Sequence, residues 1–87
     1  MSELARFRVV FEEGASEFVI AQSARRRRKL LDITYVIAKR PFADPDYVVP
    51  DIDGRLIAHV GTEGYVISYW VDAPVKRIVE VEIEREE

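Results

Sequence analysis

The sequence predicts an α+β fold: an N-terminal strand, one or two helices, then a mainly antiparallel β-meander, with the helices packed on one sheet face. Three observations carry this. Residues from Arg6 to Phe11 alternate with period two. Apolar residues between Ala24 and Lys39 recur at helical spacing and stop at Pro41. Beyond Asp44, β-branched and aromatic runs are separated by short Asp/Gly/Pro turns.

In the first strand Phe7, Val9 and Phe11 alternate with Arg6, Arg8 and Val10, and Glu12-Glu13-Gly14 is expected to break it. Ser16 can cap a first helical turn holding Glu17, Phe18 and Ile20. Ser23 can cap a second helix from Ala24 to about Lys39, whose Leu30, Ile33, Thr34 and Ile37 form one stripe. One long helix over residues 16–40 is the alternative. Pro41 ends the helix by biasing Arg40 away from helical angles. Tyr47–Val49 reads as a short edge strand limited by Pro50, and Asp53-Gly54 as a hairpin turn. Arg55–Val60 is the next strand, Gly61–Gly64 a four-residue turn, and Tyr65–Val71 the strongest strand. Asp72-Ala73-Pro74 turns the chain into Arg77–Glu84. There Val79, Val81 and Ile83 are expected on the buried face and Glu80, Glu82 and Glu84 on the exposed one.

Eighty-seven residues suit one domain, because two would each be too small for a useful core. A 48% hydrophobic and 33% charged composition is that of a globular chain. Without cysteine there is no disulfide scaffold and no thiolate zinc site, which suits the expected cytoplasmic location. The opening MSELARFRVVF does not read as a signal peptide, and no apolar run reaches the roughly 18 residues of a membrane span. The net charge of −3 hides an asymmetry. Residues 1–43 hold nine Lys/Arg against five Asp/Glu, a net of +4; residues 44–87 hold four against eleven, a net of −7. Any phosphate-binding surface is therefore expected in the first half.

The run Arg25-Arg26-Arg27-Arg28-Lys29 is the most conspicuous candidate site. Five consecutive helical residues sweep about 500°, so they cannot form one stripe and at least one must face the sheet. The rest can clamp phosphates or an acidic partner, or simply form a solvated first turn. His59, the only histidine, shares a strand face with Arg55 and Ile57. Arg55 could stabilise a phosphorane-like charge while His59 moves the proton; a half-exposed strand histidine is the plainer reading. Tyr65 and Tyr69 share a face with Ile67, opposite Trp70, Val66 and Ser68. The two tyrosines can stack bases or belong to the core. No nucleotide-binding glycine loop or serine-hydrolase elbow appears, and no cofactor or metal is expected.

The order of strand, helical hairpin, Pro-terminated helix and meander resembles the RelE/ParE toxin superfamily. Local residues agree: Val60-Gly61, then Tyr65-Val66-Ile67-Ser68-Tyr69, then Val71-Asp72, then Ile78-Val79 and Val81. The resemblance spans nearly the whole chain. It implies the toxin of a type II toxin–antitoxin pair, bound by a cognate antitoxin peptide. RNA-cleaving members usually carry arginine directly after the first tyrosine of that strand, where this chain has Val66, and end in basic segments, where it has Glu84-Arg85-Glu86-Glu87. Those differences point to a toxin that occupies a target, RNA of the ribosome or gyrase, over one that cuts RNA. The alternatives are a metal-independent endoribonuclease using Arg55 and His59, with Arg77 or Arg85 on phosphate, and a non-toxic interaction module that self-associates into a homodimer.

Overall fold

Two helices, not one, follow the first strand. In the computed structural model, which describes residues 7–86, Gln22 and Ser23 are extended and separate α1 (Glu13–Ala21) from α2 (Ala24–Lys39). The Ser23 hydroxyl accepts the Arg26 N–H at 3.3 Å, the expected cap. Arg27 is the member of the basic run that turns inward. Its guanidinium donates to the carbonyl of Gln22 at 2.9 Å and, more weakly, of Ile20 at 3.5 Å, placing a cation at the C-terminus of α1. The first helix begins earlier than expected. Glu12 is its N-cap residue, without a side-chain cap, and Ser16 lies one turn inside, donating its N–H to the Glu12 carbonyl at 2.9 Å.

The strands are β1 (Arg8–Phe11), β2 (Tyr47–Pro50), β3 (Leu56–Thr62), β4 (Tyr65–Asp72) and β5 (Arg77–Arg85), with a 3₁₀ turn, Ala73–Val75, before β5. Arg6, expected to start the first strand, lies outside the described residues. The order across the sheet is β1-β5-β4-β3-β2; β1 runs parallel to β5 and every other pair is antiparallel. Both helices lie on one face. Leu30, Ile33, Ile37 and Ala38 of α2 and Ala15 and Val19 of α1 meet Tyr65, Ile67, Tyr69, Ile78 and Ile83 in one core. The helices cover the β1–β5–β4 part of the sheet, while β2 is exposed along its whole length.

The β3–β4 connection is tighter than expected. Gly61 and Thr62 belong to β3, and only Glu63-Gly64 turn the chain, with φ of 52° and 90°. Two consecutive left-handed residues define the turn that matches strand twist, and Asn-Gly is its favoured pair. Glu63→Asn is expected to stabilise the protein by roughly 0.5–1 kcal/mol. A thermal melt that fails to rise would contradict that assignment.

The face of β5 also departs from the alternation. The β4–β5 register slips between Ser68 and Tyr69, so Ser68 pairs with Glu82 but Tyr69 pairs with Glu80. Val81 is the extra residue of a bulge. Ile78, Glu80 and Ile83 therefore share the helix side, whereas Val79, Glu82 and Glu84 lie on the open side. Glu80, expected in water, is 0% exposed.

Candidate functional site

The first two turns of α2, the Glu63-Gly64 turn and the end of β5 converge on a cavity of about 750 Å³. Arg25, Arg26, Lys29 and Arg85 line it, opposed by the carboxylates of Glu63 and Glu86, with Ser23, Gly64 and Tyr65 completing the wall. Four cations against two anions leave a local excess of +2. Lys29 Nζ lies 3.5 Å from Glu63, a half-exposed pair worth little by itself. The Glu86 N–H donates to the Gly64 carbonyl at 2.8 Å and ties the chain end to the turn. The fold thus gathers five candidate residues, Arg25, Arg26, Lys29, Tyr65 and Arg85, at one end of the sheet. Arg28 instead lines an adjoining groove of about 460 Å³ between α2 and β3, with Ile33, Val36, Ile37, Val60 and Thr62.

Apolar surface continues from this groove. Val36 is 63% exposed, and Phe42, Val48 and Leu56 are exposed beyond the C-terminal end of α2. There Pro41, Phe42, Val48, Leu56, Ala58 and Val71 line a second hollow of about 450 Å³. A strip of helix-side sheet is thus left without a layer above it, basic at one end and apolar at the other.

The tyrosines belong to the core. Tyr65 packs edge-on against Phe18, with centroids 6.1 Å apart, and Tyr69 is 2% exposed, so neither offers a free ring face. Burial, then the charge of Glu80, raises the Tyr69 hydroxyl above its ordinary range. Arg77 is held by Asp72 at 3.2 Å and is the register partner of Arg8 on the open face.

On that open face Arg55 and His59 point the same way but serve different partners. Arg55 reaches Asp51 at 3.3 Å and Asp53 at 3.2 Å, and its guanidinium lies 4.5 Å above the centre of the Trp70 ring. The Asp51 carboxylate also accepts the N–H groups of Asp53 and Arg55, each at 2.9 Å. Desolvation would raise its pKa, but these bonds and the Arg55 charge outweigh that and lower it. Arg55→Ala is expected to uncover Trp70 and cost about 0.5–1 kcal/mol. A Trp70 emission maximum that does not shift to the red would show that the stacking is absent in solution.

His59 is held by two contacts that single-strand periodicity does not reveal. Its Nδ1 is 2.8 Å from the Ser68 hydroxyl, and its ring stacks on Tyr47 at 4.4 Å and 10°. Both follow from register, which pairs His59 with Ser68 on one side and Tyr47 on the other. Ser68 in turn faces Glu82. A hydrogen bond to Glu84, then partial burial and the charge of Glu84, raise the carboxyl of Glu82. The row Tyr47–His59–Ser68–Glu82 thus crosses the open face.

This arrangement of two helices on one face of a five-strand mixed sheet is the fold of the RelE toxins. The chain superposes on the toxin–antitoxin complex RelBE2 of Mycobacterium tuberculosis with a TM-score of 0.77 at 12% identity, covering 95% of this chain and 94% of that one. It superposes on the isolated Escherichia coli RelE toxin with a TM-score of 0.72 at 15% identity (93% and 85% covered). The RelE–RelB complex of Pyrococcus horikoshii gives 0.70 at 12% identity (92% and 94% covered). No protein-family model and no curated protein matches the chain by sequence. Among the described residues no helix is long and apolar enough to cross a membrane.

Proposed function

We propose that this chain is the toxin-type component of a type II toxin–antitoxin pair, acting by occupying its target and neutralised by an antitoxin segment. The observation that carries the reading is a RelE fold whose helix-side strip, from Val36 to Leu56, is left bare beside a basic cavity. Several of the solved structures it resembles are toxin–antitoxin complexes, which supports an antitoxin as the missing layer. An amphipathic segment would bury the exposed Val36, Phe42, Val48 and Leu56, each worth on the order of 1–2 kcal/mol when fully covered. The cavity of Arg25, Arg26, Lys29 and Arg85 would contact an acidic or phosphate-rich target, with ribosomal RNA and gyrase the two classes to test. Induced expression in a bacterial host should slow growth, and co-expression of the neighbouring reading frame's product should restore it. Unchanged growth and translation without any partner would remove the toxic half of the proposal.

A second reading, a metal-independent endoribonuclease, draws on the Ser68–His59 hydrogen bond, which orients the imidazole on an open face. With Arg55 engaged by Asp51 and Asp53, phosphate stabilisation would require that cage to open. RNA cleavage by the purified protein that survives both His59→Ala and Arg55→Ala would end this assignment.

A further inference from the structure

Glu80 has no part in either reading above. It is 0% exposed, on the helix side of β5, and neither carboxylate oxygen has a hydrogen-bond partner among the described residues. Its neighbours along the sheet are Phe11 of β1 and Tyr69 of β4. Beside it lies Thr34 of α2, itself 1% exposed, and α1 packs on the same strand. Tyr69 is the titratable group that faces it. Of the charged residues on the helices packed overhead, Glu13 and Glu17 on α1 and Arg25, Arg26, Arg28, Lys29, Asp32 and Lys39 on α2 are exposed, and the half-buried Arg27 is engaged by the carbonyls of Ile20 and Gln22 at the end of α1; Arg8 and Glu82 lie on the open face or in solvent. The Glu12 N–H donates to the backbone carbonyl of Glu80 and so does nothing for its side chain.

A neutral carboxyl fits this site at a modest cost. An ionised one fits poorly, because a buried anion with only the neighbouring Thr34 hydroxyl to offset its charge carries a desolvation penalty that entry of water or movement of the lid relieves. The lid here is α2, which carries Thr34 beside the carboxyl and supplies Leu30, Ile33, Ile37 and Ala38 to the core. We propose that Glu80 is a proton-operated latch: protonated, it stays packed between the sheet and α2, and ionised, it draws in water and loosens α2 from the sheet. The latch is a property of the fold and does not depend on the toxin reading.

Burial moves the Glu80 carboxyl from its ordinary 4.5 up to about 7, with Thr34 opposing the rise. The folded-state value therefore exceeds the unfolded one. The protein gains the full benefit of neutral Glu80 below about pH 4.5 and loses it as pH climbs through 7, after which the effect levels off. At tenfold per pH unit, this one group lowers the folding equilibrium constant roughly 300-fold across that window.

Three measurements test the latch. In the wild type, the Glu80 side-chain carboxyl carbon should titrate near neutrality by NMR; a midpoint between 4 and 5 overturns the proposal without any variant. Denaturant midpoints from pH 5 to 8 should fall more steeply in the wild type than in Glu80→Gln; parallel curves overturn it. Amide exchange in α2, corrected for its intrinsic pH dependence, should quicken at pH 8 in the wild type only. Titration near 7 with unchanged α2 protection would leave a buried acid but no latch. If Glu80→Gln does not fold, the carbon titration and wild-type exchange still decide.

Discussion

Leu30→Ala is expected to lower the melting temperature by about 10–30 °C. Leu30 is 0% exposed at the centre of α2, in the core shared with Ile67 and Ile78. Truncating a leucine there removes its transfer free energy and leaves a cavity that the surroundings only partly close, costing about 2–5 kcal/mol. A chain this size has about 4–13 kcal/mol in all, at roughly 0.05–0.15 per residue. Each kcal/mol moves the midpoint of such a domain by about 4–8 °C. The control lies on the same helix. Val36 is 63% exposed, and Val36→Ala should stay within about 0.5 kcal/mol of the wild type in the absence of a partner. Circular dichroism melts of the two variants decide the matter. A Leu30→Ala midpoint within a few degrees of the wild type would mean that α2 does not seat on the sheet as described.

That contrast also shows what periodicity reads well. The stripe of Leu30, Ile33 and Ile37 is written in the spacing of the residues, because a helix side chain's direction depends only on its position along one element. Tyr65, Ile67 and Tyr69 on one face and Val66, Ser68 and Trp70 on the other follow from period two for the same reason. Contacts between elements obey a different rule. Reading Gly61–Gly64 as the turn puts His59 opposite Val66; the two-residue turn Glu63-Gly64 puts it opposite Ser68. The slip is two residues, so every face stays correct and every neighbour changes. The His59–Ser68 contact was hidden for that reason; the Tyr47–His59 contact depends instead on the β2–β3 register, where residues 51–55 and not Asp53-Gly54 alone form the connection.

The bulge at Val81 is a harder case. An unbroken Val/Glu alternation is the ordinary mark of a half-buried strand, and nothing local in Arg77–Arg85 signals an extra residue. Only the pairing with β4, which must bring both Ile67 and Tyr69 against the helices, shifts Glu80 inward. Arg27 illustrates the opposite situation. Geometry requires one member of the run to face inward, and the end of α1 supplies the carbonyls that receive it. Which member it would be depended on where α1 stopped, and the sequence left that open between one helix and two.

The variant carrying Arg25→Glu, Arg26→Glu and Lys29→Glu should keep its fold and lose its activity on the target. The three side chains are exposed and stand at the N-terminal end of α2, where the helix dipole disfavours cations and favours carboxylates by about 0.3–1 kcal/mol each at low salt. Losing the half-exposed Lys29–Glu63 pair, and gaining a like-charge contact there, offsets part of this gain. Arg27 is left in place because it caps α1. The melting temperature should therefore stay level or rise. Function should move the other way, because the cavity changes from an excess of cations to a ring of anions around Arg85. At about 1 kcal/mol for each of the three lost phosphate contacts, and about 1.4 kcal/mol to a decade, affinity for a phosphate-rich target falls by about two decades before repulsion is added. Growth inhibition on induction and the salt dependence of target binding are the measurements. A variant that melts like the wild type and still arrests growth would place the target contact elsewhere, with the open face around His59 the next surface to test.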